Sequence, residues 1–207
     1  MREELVKKYA EKYSVDVVDT ENSLESYNGF YKNMGFGDSI EKLIEKKLED
    51  KVFVRVMDLG CGNGGFLEDL KKQFQESIHT IGVDLLTAEK KPDEMIMGDA
   101  LSSKFPKNLD FVFSFKTLHE IGEPEKIVEK VYASLADKGK AFLSFRTMDL
   151  YSKGKGIAEL GEKEVKQLQK MVRSRKLSGF SVTGFEVSVK DEKGKSSTAG
   201  INIFLEK

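Results

Sequence analysis

The pattern of apolar and polar positions changes character near residue 51. Before it the rhythm is helical. Ile40, Leu43, Ile44 and Leu48 fall on one face, and Asp38 with Glu41 fits a capping box, so a helix is expected from Asp38 onward. Upstream lies an aromatic stretch, Tyr27-Asn28-Gly29-Phe30-Tyr31, followed by Gly35-Phe36-Gly37, which predicts a turn or hinge. From residue 51 short apolar runs alternate with helical stripes. The runs are Val52 to Leu59, Ile78 to Leu85, Met95 to Met97, Phe111 to Phe115 and Lys140 to Phe145. Between them, Phe66, Leu67, Leu70 and Phe74 mark one helix, and Ile127, Val128, Val131, Tyr132 and Leu135 another. Val165, Leu168 and Met171 mark a further helix. The alternation then stops: Phe180 to Val189 and Ser197 to Leu205 read as two strands joined by the turn Asp191-Glu192-Lys193-Gly194.

Continuous apolar strands alternating with helices imply an α/β fold with a mostly parallel sheet and helices on both faces. The closing hairpin places one antiparallel strand in that sheet. Residues 1–37 read as a helical N-terminal extension or lid, and residues 38–207 as the sheet domain. Ligands of such sheets bind at the carboxyl ends of the strands, where the strand order reverses. Only 14 residues separate Asp84 from Asp99, and Pro92 lies among them, so little room remains there for a helix.

Composition narrows the class. The chain has 207 residues, 39% of them hydrophobic, which suits one domain with a packed core. No apolar run reaches bilayer-spanning length, and the first residues lack the apolar core of a secretion signal, so a cytoplasmic address without membrane contact is expected. Cys61 stands alone, which excludes an intramolecular disulfide framework and a cysteine-rich zinc site. Lysine and arginine total 34 against 35 acids, an average of an acidic front and a basic stretch near 151–178. Arginine, suited to bidentate phosphate recognition, is scarce: Arg2, Arg55, Arg146, Arg173 and Arg175 are all there are.

The chemistry gathers in the loops after the first four strands. After the first comes Asp58-Leu59-Gly60-Cys61-Gly62-Asn63-Gly64-Gly65, whose glycines permit a tight turn and close backbone approach to a ligand at a helix start. Gly60, Gly62 and Gly65 also satisfy the dinucleotide spacing, so the loop alone is ambiguous. Asp58 at the strand end, positioned to bind an amine, points away from a nicotinamide site. Asp84 ends the second strand, where an acid suits the two hydroxyls of a ribose. Gly98-Asp99-Ala100 follows the third strand. Ser114-Phe115-Lys116-Thr117-Leu118-His119-Glu120-Ile121 follows the fourth.

Taken as an ordered set over residues 38–207, these motifs resemble the class I, Rossmann-like methyltransferases that use S-adenosylmethionine. The resemblance implies a seven-stranded sheet of order 3-2-1-4-5-7-6 with strand seven antiparallel. It implies that Gly60, Cys61, Gly62, Asn63 and Gly64 line the methionine portion and sugar, and that Asp58 reaches the amino group. Asp84, with Leu85 beside it, would take the ribose. Asp99 would bind the adenine amine, with Ala100 donating its amide to the ring. Ser114, Phe115 and Lys116 would line the methionine side. Cys61 itself reads as a small packing residue and not a nucleophile.

Methyl transfer from a sulfonium is an in-line displacement from an already activated donor, so holding the acceptor close and collinear is the main requirement. His119 is the best candidate base, with an ordinary pKa near neutrality; the alternative is that it shapes the pocket. The fourth strand lacks the Asn/Asp-Pro-Pro-Tyr/Phe motif of amino methylation of adenine or glutamine, and no cluster of metal ligands stands out. The expected acceptor is a small metabolite, met by Tyr27, Tyr31, His119 and Arg146, with residues 146–178 facing it. The rival readings are an RNA or protein methyltransferase working with a partner subunit, an NAD(P)-dependent oxidoreductase, and a non-catalytic cofactor-binding module.

Overall fold

The structure is a computed structural model that describes residues 22–115, 117, 121, 123–149, 181–191 and 194–207. In chain order it contains α1 (Leu24–Asn33), α2 (Ile40–Leu48), β1 (Val54–Leu59), α3 (Gly65–Phe74), a 3-10 turn (Gln75–Ser77), β2 (Ile78–Asp84) and β3 (Glu94–Met97). It continues with β4 (Leu109–Ser114), α4 (Pro124–Ser134), β5 (Leu135–Asp149), β6 (Ser181–Asp191) and β7 (Gly194–Glu206). The sheet order is β3-β2-β1-β4-β5-β7-β6, as the motif set implies. β1 to β5 pair in parallel, and β7 runs antiparallel to both β5 and β6.

The sheet is buried on both sides, and the alternation of strand side chains divides the core in two. Val54, Val56, Phe111, Phe113 and Phe142 face α1, α2 and α3. Met57, Leu59, Val112, Ala141 and Leu143 face the opposite way, toward Ile127, Val128 and Val131 of α4. This is why the strands read as unbroken apolar runs.

Helix α2 corrects one expectation. Its cap is Ser39, whose hydroxyl accepts from Lys42 N at 3.4 Å, and not Asp38. Glu41 does not close a box either: its carboxylate accepts from Asn28 Nδ2 at 2.8 Å, while Asn28 Oδ1 accepts from Ile40 N at 2.8 Å. A side chain of α1 thus takes both the Glu41 carboxylate and the first free amide of α2, that of Ile40. A second tie joins α1 to α3, since Leu24 N donates to Asp69 Oδ2 at 3.1 Å.

Strand boundaries shift by a few residues. β1 starts at Val54, where pairing with Ile78 begins; Val52, 93% exposed, precedes it. β4 starts at Leu109 and releases Phe115, which stays buried without pairing. β5 is longer than its apolar run and starts at Leu135, directly after α4, because Leu135 pairs with Leu109 across a register shift. Residues 85–93 between β2 and β3 contain no helix. Instead Lys90 N donates to Asn63 O at 2.9 Å, folding that segment over the start of α3. The stripe expected at Val165, Leu168 and Met171 lies outside the described residues.

Candidate active site

The order of the sheet reverses at β1, which has β2 on one side and β4 on the other. Their carboxyl ends bring Asp58, Asp84 and Ser114 to one crevice, where a doubly wound sheet binds its ligand. The turn leaving β1 is built of residues in the left-handed region: Gly60, Gly62 and Gly64 have φ of 82°, 54° and 82°. Gly60 N donates to Val83 O at 2.7 Å, which pins the turn against β2. A Cβ on Gly60 would overlap Thr117, and one on Gly64 would overlap the Lys90 carbonyl oxygen. The turn is therefore packed too closely on Thr117 and on the Lys90 segment to admit a side chain at either position. Gly64 also caps α3, taking Glu68 N on its carbonyl at 3.0 Å.

Asp84 stands at the end of β2 and is almost fully buried. Its Oδ2 accepts from Gly62 N at 3.0 Å and its Oδ1 from Leu86 N at 3.1 Å. Burial raises its pKa above the ordinary carboxylate value, opposed by those amides. Asp58 is fully buried on β1. The Tyr27 hydroxyl donates to its two oxygens at 3.2 and 3.0 Å. Burial is the main force that lifts the Asp58 pKa from 3.8 to about 8; the Tyr27 hydrogen bond lowers it and nearby Asp84 raises it. The Tyr27 hydroxyl satisfies the carboxyl as it stands, and a cation brought against it would favour the ionised form.

The remaining predicted residues fall as follows. Ser114 Oγ donates to Leu59 O at 2.7 Å, bridging β4 and β1 where their ladder has ended. Asn63 Oδ1 accepts from Gly65 N at 3.0 Å. Leu85 is half-buried beside Asp84. Asp99 and Ala100 begin the turn after β3. Cys61 is buried, with its sulfur 4.0 Å from that of Met95, and burial pushes its thiol far up, as suits a packing residue. Phe115 is buried edge-on to Tyr27, with ring centroids 4.9 Å apart, and stacks on Phe30 at 5.4 Å.

Of the residues expected to meet the acceptor, Tyr27 joins the crevice through Asp58, with its ring stacked on Phe66 at 4.0 Å. Tyr31 does not join it: its ring stacks on Phe36 and meets Phe142 edge-on, and burial pushes its hydroxyl up to about 12. Arg146 lies on β5 opposite Gly200. Lys116 and His119 lie outside the described residues. The sequence reading missed Asn22, whose Nδ2 donates to Cys61 O at 3.4 Å, and Thr117, which lies over Gly60. It also missed the pairing of Tyr27 with Asp58, although the buried spacing of Leu24, Tyr27 and Tyr31 carried a hint of it.

A glycine turn at the switch point, with carboxyl groups at the ends of β1 and β2 and an antiparallel β7 in the sheet, is the arrangement of a class I methyltransferase. The family model described as "Methyltransferase domain" matches residues 29–180, and the chain belongs to that family. The chain is 27% identical over 128 residues to phosphoethanolamine N-methyltransferase 2 of Caenorhabditis elegans, a match covering 56% of this chain and 28% of that protein. Among solved structures, it resembles phosphoethanolamine N-methyltransferase 2 of Haemonchus contortus in complex with S-adenosyl-L-methionine. That match has a TM-score of 0.56 and 14% identity, over 97% of this chain and 56% of the other. It also resembles the YcgJ protein of Bacillus subtilis, with a TM-score of 0.52 and 15% identity over 80% and 97% of the two chains. The chain thus spans only about half, or less, of the phosphoethanolamine enzymes it matches.

Proposed function

We propose that this methyltransferase takes its methyl group from S-adenosylmethionine and delivers it to a small-molecule acceptor. The observation that carries the reading is the pair of buried carboxylates, Asp58 and Asp84, on either side of a glycine turn at the switch point. In this reading Asp84 takes the ribose diol and Asp58 the ammonium, with the left-handed turn of Gly60, Gly62 and Gly64 between them. Asp99, Ala100, Ser114, Phe115 and Lys116 complete the cofactor site in this reading. The bound cofactor supplies an electrophilic methyl group on a cationic sulfur. The chain's part is to hold donor and acceptor in line and to exclude water.

The small-molecule acceptor draws support from the curated relative, which is named for methylation of phosphoethanolamine. His119 and Arg146, with residues 1–37 and 146–178, are assigned to the acceptor side. Among the described residues no helix is long and apolar enough to cross a membrane; a cytoplasmic address is part of the proposal.

Isothermal titration with S-adenosylhomocysteine tests the cofactor. Saturable binding is expected, weakened roughly tenfold or more in Asp84→Ala, which leaves the ribose hydroxyls unmet. Absence of binding at millimolar ligand rejects the reading.

A further inference from the structure

The turn after β3 has an unusual internal polarity. Three of its amides turn inward onto Asp99: Leu101 N donates to Asp99 Oδ1 at 3.0 Å, and Ser102 N and Ser103 N donate to Asp99 O at 3.1 and 2.8 Å. Its carbonyls are thereby turned outward, and three of them converge on one point. The Lys130 ammonium occupies that point, donating to Ala100 O at 2.6 Å, Leu101 O at 3.1 Å and Ser103 O. An ammonium has three protons and no acceptor, so the site and the group match in number and direction.

Lys130 reaches this turn from α4, whose neighbouring residues Ile127, Val128 and Val131 are locked in the core. Its ammonium lies 4.2 Å from the centre of the buried Phe105 ring, a cation–π contact that fixes the approach. A planar guanidinium could not direct donors to three carbonyls that meet at one point. Without a cation there, the three carbonyl dipoles repel, and the turn keeps only its local bonds to Asp99 and the tie from Gly98 N to Asp84 O at 2.8 Å. Asp99 and Ala100 would lose their setting.

We propose that Lys130 is a positioning residue for base recognition: from α4 it fixes the turn that presents the Asp99 carboxylate and the Ala100 amide to the purine of the cofactor. The inference rests on the cofactor reading above. A carboxylate acceptor beside an amide donor matches the amino group and ring nitrogen of adenine. Hypoxanthine reverses both, with a carbonyl facing Asp99 and an N–H facing Ala100.

The test is the ratio of dissociation constants for S-inosylhomocysteine and S-adenosylhomocysteine, measured by calorimetry on the full chain. The native protein should prefer the adenine compound by roughly 30-fold, and Lys130→Met should reduce that to within about threefold. Thermal melting is recorded in parallel, since a merely structural lysine lowers the melting point but leaves the ratio of the folded protein alone. Lys130→Arg keeps the charge and most of the stem, and serves if the methionine variant does not fold; its ratio should fall as well, by less. An unchanged ratio in either folded variant overturns the proposal. Failure of the native protein to bind either compound rejects the cofactor reading instead.

Discussion

Asp58→Asn should change how the stability of this protein depends on pH. In the unfolded chain the carboxyl ionises near 3.8, and in the fold it holds its proton to about 8. Between those values the folded state carries a proton that the unfolded chain has released. Stability attributable to this residue is therefore present below pH 4 and is lost as pH rises, levelling off above about 8. Each unit within the window costs about 1.4 kcal/mol, so the loss from pH 5 to 7.5 is about 3 kcal/mol. Asparagine has nearly the shape of the neutral acid, keeps an oxygen for the Tyr27 hydroxyl and does not titrate. Urea denaturation of both proteins at half-unit steps should give a difference curve that moves steadily in favour of the variant through this window. Parallel curves would refute the reasoning, because no other substitution accompanies the change. The same account predicts that a ligand ammonium binding at pH 7 expels the proton from Asp58. Binding heats in buffers of different ionisation enthalpy should then reveal release of close to one proton.

Gly64→Ala places a Cβ in a left-handed residue and against the Lys90 carbonyl oxygen, so a loss of about 2 kcal/mol or more is expected in urea melts. Asp110→Ala removes the buried carboxylate that receives Lys51 Nζ at 2.7 and 2.8 Å and Arg55 N at 2.9 Å; a loss of about 2 kcal/mol should appear in thermal denaturation, moderated because Lys51 can turn to water. Ser39→Ala deletes a long, exposed cap bond and should cost about 0.5–1 kcal/mol in the same assay.

The sheet was legible in the sequence because it is covered on both sides. Each strand announced itself as an apolar run, and each loop of chemical interest followed one. The ends were less legible. Pairing partners, and not local apolarity, decide where a strand stops, so Val52 and Phe53 lie outside β1 despite their character. The cap of α2 was misplaced because Asp38 and Ser39 are both good caps, and the choice depends on Asn28 arriving from another helix. At the crevice, the spacing of Asp58, Gly60 and Asp84 carried the signal. What the spacing could not carry was the partner of Asp58, because Tyr27 is 31 residues away and only packing on Phe66 brings it there.

The helix-free passage from β2 to β3 also bears on colloidal behaviour. It leaves β3 as an edge strand of four residues, with Met97 59% exposed. A longer edge of that kind would template pairing with another chain. Here Lys90, Lys91 and Pro92 stand immediately before it, followed by Asp93 and Glu94. The Lys90 and Asp93 amides are already taken, by Asn63 O at 2.9 Å and Thr80 Oγ1 at 3.1 Å, and Pro92 has none to offer. The short connection thus brings its own charges and a proline to the start of the edge, and the edge itself is only four residues long.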